Sequence, residues 1–573
     1  TANNKKKPKE ILFYGAFANQ SDWILQLKDA LGYNTLLPDN YEHASIDGYY
    51  QHASSLDAVK QFAAQLGDKK NKFRVLSFGD EIHIGTINWD DPANQEKFVA
   101  WLKEKKLTKE DLGVDPAQAR LADRNSNPRI AWYSTIFNEE IQFAVFREMT
   151  QTAKALIGPQ VETGANYSPH IMPQYYGPIY QWIDVFKHNG MTMYWAEDYV
   201  FSVPQPPQFI SWMFATVRCA VKYNKQKIHF YIMPHAPGQM HEFLRRGMVF
   251  AVGAGANHID NFWVAPAENF TENFVSWGYT DSFRVIHESI YDAAEAEPFQ
   301  VGGTFRPAQV AIIISKATDY NERIAALDPS QDPFMKMCGN APSKPKGKIQ
   351  PEQITICRVD QQLLYLALKH DQNAVDLITE EDVLEGRLNN YKAVYFAGEW
   401  IDHRIPPVLE KWVEKGGVLF ACAGLGHRNE FDEPEAGLLK LLGVKSVNLT
   451  RNALTLRPFL ELQLVQPIDT LIFSDKKIPA VAMRQEIEPA DAQVIATWSN
   501  GKPAATVKTI GKGKVFAVGT AVGHTYYKTG LRKTPWGRGG RKVIYNPTDF
   551  DPAAAELALL AVKETNPEKE VEC

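Results

Sequence analysis

The chain has few cysteines, and they lie far apart. Five occur in 573 residues, with no Cys-x-x-Cys pair among them. They are Cys219, Cys338, Cys357, Cys422 and Cys573. An odd number of isolated cysteines argues against a disulfide framework and against a zinc knuckle. The histidines add no His-x-x-x-His pair on a helix face, so the sequence predicts neither a metal site nor a cofactor.

Long apolar runs and blocks of one charge are also missing. No apolar run reaches about 18 residues, and the opening "TANNKKKPKE" does not have the pattern of a signal peptide. The net charge of −5 is spread along the chain, which predicts no nucleic-acid partner and no membrane partner. Because a cleaved signal would leave no trace, the compartment stays open, with a periplasmic or secreted location favoured over the cytoplasm.

What the sequence does contain is a large apolar fraction and a regular alternation of strands and helices. Hydrophobic residues make up 45% and aromatic residues 12% of the chain, which indicates a globular protein of several domains. Seven strand-like segments alternate with helical ones up to about residue 265. They are "ILFYGAF", "YNTLLPD", "FRVLSFGDE", "QVETGANYSPH", "MTMYWAEDYVF", "KIHFYIMPH" and "HIDNFWVA". This pattern predicts a parallel (β/α)8 TIM barrel over residues 1–300.

A barrel needs eight strands, so one is unaccounted for. Either the first βα unit is missing from this chain, or one strand is too irregular to recognise. In the first case a companion N-terminal segment would complete the barrel, since an open edge exposes backbone donors and acceptors.

The second half of the chain has two patterns. Strands and helices alternate again over residues 301–445, in too few units to close a barrel, which predicts an open doubly wound α/β sheet. Residues 446–573 contain short strands joined by turns such as "SNGK" and "GKGK", followed by the amphipathic stretch "DPAAAELALLAVK". This favours a small antiparallel β domain with a C-terminal helix.

The order of these parts resembles the family 42 glycoside hydrolases, which are β-galactosidases with a trimerisation domain. Four stretches carry the resemblance: "FAAQLGDKKNKFRVLSFGDEIHIG", "FVAWLKEKKLTKEDLGV", "LNNYKAVYFAGEWIDHRIPPVLEKWVEKGGVLFACAG" and "NGKPAATVKTIGKGKVFAVGT". The resemblance implies that the middle domain is an amidotransferase-like or flavodoxin-like trimerisation domain. It also implies a retaining β-glycosidase that forms a homotrimer and releases galactoside-type or mannoside-type sugars from oligosaccharides or polysaccharides.

Glycoside hydrolysis needs two carboxyl groups, and the resemblance places the acid/base at Glu81, in "FGDEIHIG". The residues themselves favour the same role, because Glu81 follows an apolar strand at the end where barrels carry their chemistry. The alternative is that "GDE" caps a loop or pairs with Lys72 or Arg74. Asp80 stands where the family has a substrate-binding Asn, and a carboxylate cannot donate that hydrogen bond.

The second carboxylate is harder to place. In the segment "FYIMPHAPGQMHEF", Pro234 and His235 stand where the resemblance implies the nucleophilic Glu. The substitute that we predict is Glu197 in "MYWAEDYVF", whose neighbours could bind a sugar ring. These neighbours are Tyr194, Trp195, Asp198 and Tyr199. Alternatively, Glu197 forms a salt bridge with Arg218 or with the pair Arg245 and Arg246.

Other residues could belong to the same site. His83, His170, His235 and His258 fall near predicted strand ends and are interpreted as hydrogen-bonding or sugar-contacting residues; Asp260 and Trp263 could close the pocket floor. The pair Asn138 and Glu139 in "TIFNEE" also resembles an Asn-Glu catalytic dipeptide. Because a helix is predicted over about 137–157, a role for Glu139 in the first helical turn is favoured instead.

Cys422, with His427 nearby, could be a nucleophile of the α/β domain, but "ACAG" lacks the first glycine of a Gly-x-Cys-x-Gly elbow. Two alternative functions stay open at this point. The first is a carbohydrate-binding or assembly protein on a degenerate barrel, and the second is a polysaccharide lyase that uses His235 as its base.

Overall fold

The computed structural model describes residues 6–15, 22–35, 54–71, 73–79, 82, 84–124, 126–166, 179–198, 207–234, 241–262, 264, 275, 278–326, 356–451, 467–527 and 550–570. Strands and helices alternate in its first half, as predicted. The strands are β1 (Leu12–Gly15), β2 (Val75–Ser77), β3 (Glu162–Gly164), β4 (Met193–Asp198), β5 (Lys227–Ile232) and β6 (His258–Asn261). The helices are α1 (Asp22–Leu31), α2 (Leu56–Leu66), α3 (Pro92–Glu104), α4 (Lys109–Leu112), α5 (Pro128–Leu156), α6 (Ile179–Lys187), α7 (Ile210–Val221), α8 (His241–Gly253) and α9 (Thr280–Gln300).

These six strands form one parallel row. Strands β4, β5, β6 and β1 are hydrogen-bonded in that order, and β2 pairs with β3. The two groups meet where the amide of Thr192 donates to the carbonyl of Thr163, at 2.9 Å, and where Asn166 bridges to Trp195. Six of the seven predicted strand segments are therefore confirmed, and a closed eight-stranded barrel stays a prediction.

The first strand pairs directly with β6, from Leu12 opposite His258 to Gly15 opposite Asn261. The two strands are therefore direct neighbours at this seam, and a further βα unit or companion segment that completes the barrel stays a prediction. Among the described residues, β2 has a strand partner on one side only. The remaining predicted segment begins beside β1, at the other end of the row, where the Thr35 hydroxyl donates to the carbonyl of Phe13 at 2.7 Å. Residues 36–53 lie outside the described part of the chain.

Helix α5 begins earlier than predicted. The Asn127 side chain accepts a hydrogen bond from the Ile130 amide, and Pro128 occupies the first helical position. Both are start signals, because proline needs no amide partner there and the Asn oxygen satisfies a free donor. Glu139 therefore lies in the middle of the helix, and the interpretation as a first-turn residue is wrong.

The second half contains the larger sheet. Its parallel strands are β7 (Val310–Ile314), β8 (Val375–Thr379), β9 (Ala393–Ala397) and β11 (Val418–Cys422); the short strands β10 (Trp400–Ile401) and β12 (Arg428–Asn429) form a separate pair. The later strands are β13 (Val444–Arg451), β14 (Asp469–Phe473), β15 (Lys476–Ala480), β16 (Met483–Pro489), β17 (Gln493–Trp498), β18 (Pro503–Ile510) and β19 (Gly513–Val518). The helices are α10 (Lys316–Ala326), α11 (Ile356–His370), α12 (Glu380–Leu384), α13 (Ile405–Glu414), α14 (Gly437–Leu442), α15 (Val522–Tyr527), α16 (Pro552–Ala558) and α17 (Leu560–Thr565).

Nine strands of this half form one continuous sheet in the order β15-β14-β17-β18-β19-β11-β9-β7-β8. Strands β8, β7, β9, β11 and β19 are parallel, whereas β18, β17, β14 and β15 add antiparallel neighbours. The doubly wound and antiparallel parts that the sequence suggested are thus joined edge to edge. The domain boundaries after residues 300 and 445 stay a prediction.

A buried cation joins the two halves. Lys316, at the start of α10, places its Nζ 2.8 Å from Glu139 Oε2 on α5 and 2.8 Å from Asp184 Oδ2 on α6. Burial raises the pKa of Glu139, and Lys316 opposes that rise. Burial alone would lower the pKa of Lys316, but Asp184 and Glu139 raise it. Glu139 is thus part of a buried ion cluster between the two halves of the chain. No helix in the described part of the chain is long and apolar enough to span a membrane.

Candidate functional site

The inner face of the parallel row carries aromatic and polar side chains. Tyr14, Val75, Trp195 and Tyr231, from four different strands, pack with Met193 and Met233 in one buried cluster. Because side chains alternate along a strand, Trp195 and Glu197 of β4 point to this same inner face. Tyr194 points the other way and stacks on Phe186 of α6, with ring centroids 4.8 Å apart. The structure therefore does not bring Tyr194 to the inner face with Glu197.

Glu197 lies at the carboxyl end of β4, where only 4% of its surface is exposed. The Asn166 Nδ2 group donates a hydrogen bond to Glu197 Oε1 at 3.0 Å. This hydrogen bond holds the Glu197 carboxyl group in one orientation at the end of the strand.

A second carboxyl group lies in the same layer of the row. Glu197 is the register partner of Tyr231, Tyr231 is the partner of Asp260, and Asp260 is the partner of Tyr14. Adjacent strands are about 4.8 Å apart, so the Cα atoms of Glu197 and Asp260, two strands apart, are separated by about 10 Å. Asp260, predicted as part of the pocket floor, is fully buried.

His229 is the polar residue of this face that the sequence reasoning missed. It is fully buried, and its Nε2 lies 3.9 Å from Asp260 Oδ2. Its ring centroid lies 4.3 Å from that of Trp195 and 5.0 Å from that of Tyr231. The alternation in "KIHFYIM" contained the signal, because His229 and Tyr231 share the face that Glu197 occupies on the next strand.

Asp260 also affects groups on the first helix and the loop that follows it. Burial lowers the pKa of Lys28 to about 8, and the negative charge of Asp260 opposes that change. Burial raises the pKa of Tyr33, and Asp260 raises it further. The Lys28 ammonium also lies 5.7 Å from the centre of the Tyr14 ring. The Asp260 side of the row therefore combines a buried carboxylate with a buried amine of lowered pKa.

The loop that follows β2 is held by helix α5. Asn138 Oδ1 accepts a hydrogen bond from the Ile87 amide at 2.8 Å, and its Nδ2 donates to the Gly85 carbonyl at 3.0 Å. Glu81 precedes Gly85 by four residues in the sequence. In the Asn-Glu dipeptide, Asn138 thus holds this loop, whereas Glu139 binds Lys316.

Several predicted site residues lie outside the described part of the chain. These are Asp80, Glu81, His83, His170, Tyr199, His235 and Trp263, as well as the side chain of Asp198. Their proposed roles stay predictions. Of the predicted residues that the structure describes, Trp195 and Glu197 share one face. His258 is on the inner side of β6, with its ring centroid 6.0 Å from that of His229.

Cys422 ends the buried strand β11, away from the Glu197 face. Its Sγ lies 3.5 Å from Asp360 Oδ2, and Asp360 also binds His524 Nδ1 at 2.8 Å. Burial and the nearby Asp360 raise the pKa of the Cys422 thiol, which disfavours the thiolate that a nucleophile needs. His427 contacts the Gly424 carbonyl at 2.9 Å.

One group in the described residues has the composition of a metal site. Ligand atoms of Asp402, His403 and Glu430 lie within 4.8 Å of one another in the α/β half. His403 Nδ1 is 2.7 Å from Glu430 Oε1, and Arg404 Nε donates to Asp402 Oδ1 at 2.9 Å. These contacts between protein side chains account for the close arrangement of the three residues without a metal ion.

Comparison with solved structures places this arrangement in a known fold. The β-galactosidase Gan42B from G. stearothermophilus, in the form of a catalytic mutant, aligns over 90% of this chain and 86% of its own, with a TM-score of 0.63 and 13% identity. The chain has the fold of the family 42 β-galactosidases. The fold resemblance inferred from the sequence is thereby confirmed.

Two further solved structures show the same fold over most of the chain. The β-galactosidase from Bacillus circulans sp. alkalophilus covers 90% of this chain and 87% of its own, with a TM-score of 0.61 and 13% identity. The cold-adapted β-galactosidase from Rahnella sp. R3 covers 97% of this chain and 78% of its own, with a TM-score of 0.57 and 14% identity. A scan against models of known protein families finds no match. A search of curated proteins likewise finds no related chain.

Proposed function

We propose that this chain is a glycoside hydrolase that cleaves β-linked galactoside-type or mannoside-type sugars from oligosaccharides or polysaccharides with retention of configuration. The observation that carries the proposal is the position of Glu197, a buried carboxyl group at a strand end, held by Asn166 in a fold shared with β-galactosidases. Glu197 is the nucleophile in this proposal, and Glu81 is the acid/base.

The inner face around Glu197 supports this role. Trp195 lies two residues before it on the same face, and its buried indole N–H has no hydrogen-bond acceptor among the described residues. A sugar hydroxyl can accept that hydrogen bond. Tyr231, in register with Glu197, adds an aromatic surface on the next strand.

In the first step, Glu197 would attack the anomeric carbon while an acid protonates the leaving oxygen. The Asn166 amide keeps the carboxylate oriented before the attack. In the second step, water would release the sugar with the acid acting as the base. Retention requires the two carboxyl groups to be about 5–5.5 Å apart, whereas a separation of roughly 6.5–9.5 Å would give inversion.

Replacing Glu197 tests the proposal. The change Glu197→Ala should abolish turnover of nitrophenyl β-glycosides, and azide should restore turnover with activated substrates by replacing the nucleophile. Glu162→Gln is a matched control, because Glu162 begins β3 at the amino end of the parallel strands, whereas Glu197 lies near their carboxyl end, and Glu162 pairs with Lys227 at 3.2 Å. Near-normal activity of Glu197→Ala with the fold intact would refute the nucleophile assignment, and Asp260→Asn would then be the next variant.

The two alternative functions are less well supported. Neither a degenerate carbohydrate-binding barrel nor a lyase that uses His235 is favoured by likeness to β-galactosidases. The discriminating measurement is the anomeric configuration of the first-formed product by proton NMR. A β product supports a retaining hydrolase, and an unsaturated sugar would identify a lyase.

A further inference from the structure

A cavity of about 340 Å³ lies at the carboxyl ends of the parallel strands in the second sheet. Numbered along the chain, the parallel strands have the order 2-1-3-4-5, so the connections change direction between β7 and β9. In open α/β sheets, the crevice at such a point is where ligands bind. The walls include Glu322 from the helix after β7, Glu399 from the loop after β9, Trp400 from β10 and His427 from the loop after β11.

The charges of this cavity balance. Arg451 binds Glu399, and Arg124 binds Asp432. Arg428 lies between these pairs, with its Nη1 3.0 Å from Asp432 Oδ1 and its Nε 3.9 Å from Glu399 Oε1. With one further carboxylate, the wall contains three acidic and three arginine side chains. The net charge of the wall is zero when Glu322 is ionised and +1 when it is protonated, so the cavity does not favour a ligand of high charge of either sign.

That further carboxylate is Glu322. It accepts hydrogen bonds from the Cys357 and Arg358 amides at the start of α11, at 2.7 and 3.1 Å. Burial raises the pKa of Glu322 to about 7 against the effect of these hydrogen bonds and of Arg358. A bound anion would add negative charge beside a carboxyl group that is already costly to ionise.

The wall fits a neutral ligand rich in hydroxyl groups. Carboxylates can only accept hydrogen bonds and guanidinium groups can only donate them, whereas each hydroxyl does both. The wall also contains apolar side chains, which could pack against the C–H face of a sugar ring. The apolar residues are Ile356, Val447, Leu449 and Met483. The volume is near the lower end of the usual range for ligand pockets, roughly 300–1,000 Å³, which suits one or two sugar rings.

We propose that this cavity is a second, non-catalytic binding site for a neutral monosaccharide or disaccharide. It shares no residue with the face around Glu197. Arg124 belongs to the insertion between α4 and α5, whereas most of the wall belongs to the α/β half. A sugar bound here would therefore hold the two halves of the chain together.

Hydrogen exchange detected by mass spectrometry tests the proposal with galactose and lactose as probes. In the unaltered protein, either sugar should slow the exchange of peptides covering residues 427–432 and 447–451, by about tenfold at a concentration of ten times Kd. Peptides covering residues 493–498 should not change. Exchange in these peptides that neither sugar slows, or that sulfate alone slows, would overturn the proposal. This experiment does not depend on catalytic activity, so failure of the proposed function leaves its result interpretable.

Two variants on one strand locate the effect. Leu449 lines the cavity, whereas the next residue, Thr450, is exposed and lies on the opposite face of β13. Leu449→Trp should fill the cavity and abolish the slowing at residues 427–432, while Thr450→Trp should retain it. Slowing that persists in a folded Leu449→Trp variant would refute the site. If that variant does not fold, the experiment on the unaltered protein decides alone.

Discussion

Replacing Lys316 by methionine tests the connection between the two halves of the chain. The change Lys316→Met removes the cation between Glu139 and Asp184 but keeps a side chain of similar length. Glu139 is only 3% exposed, so its charge is left in the interior with Asp184 as a like-charged neighbour. Breaking a buried ion pair in this way costs about 3–5 kcal/mol. For domains of 150–250 residues this corresponds to an unfolding temperature lowered by about 6–20 °C.

The cost should depend on pH. Burial already raises the pKa of Glu139, and removing Lys316 removes a group that lowers it. In the variant, the folded state therefore binds a proton on Glu139 at a pH where the unfolded state does not, and stability falls as pH rises above the unfolded value of about 4.3. Calorimetry should show a smaller difference between variant and parent protein at pH 5 than at pH 8.

A neighbouring surface pair provides the control. Lys105 Nζ lies 2.9 Å from Glu140 Oε1, and the two side chains are 40% and 35% exposed. Because exposed pairs contribute about 0–1 kcal/mol, Lys105→Met should lower the unfolding temperature by less than about 4 °C. If Lys316→Met costs no more than Lys105→Met, or costs the same at both pH values, the buried cluster is not a stabilising link.

Three further outcomes are expected. Asn138→Leu removes both hydrogen bonds to the loop after β2. In steady-state kinetics, kcat should fall by roughly 10–100-fold for substrates with poor leaving groups and by less for activated substrates. Equal losses of kcat for both kinds of substrate would contradict a role of Asn138 in positioning Glu81. The α/β half is proposed to form a homotrimer, so light scattering should report about three times the chain mass of 64.6 kDa, and a clean monomer would remove that proposal. Cys219, Cys357 and Cys422 are buried, so a thiol reagent should modify at most two of the five cysteines of the native protein; a third reactive thiol would show that one of these sites opens.

The fold could be predicted from local patterns where neighbouring residues decide the structure. Apolar runs such as "KIHFYIM" identify buried strands, and the alternation between β4 and β5 already places Glu197, His229 and Tyr231 on one face. The start of α5 is also encoded locally, by Asn127 and Pro128, so the helix expected over about 137–157 starts too late.

Long-range pairing could not be predicted in this way. Glu139 binds Lys316, which lies 177 residues later in the chain, and nothing near Glu139 indicates that partner. The seam between β1 and β6 likewise joins residues about 246 positions apart. Such contacts depend on how the whole chain packs, so a local pattern could place Asp260 on a strand but could not place it beside His229 or Lys28.

The continuous sheet of the second half also determines when this part of the chain can fold during synthesis. Strand β19 lies between β11 and β18, near the middle of the nine strands, although it is the last of them to be made. Until residue 518 has left the ribosome, the edge of β11 has no partner there. Exposed strand edges promote aggregation. A ribosome that stalls between residues 422 and 513 would therefore expose an incomplete sheet with an unpaired β11 edge. A chaperone would be needed most during this interval of translation.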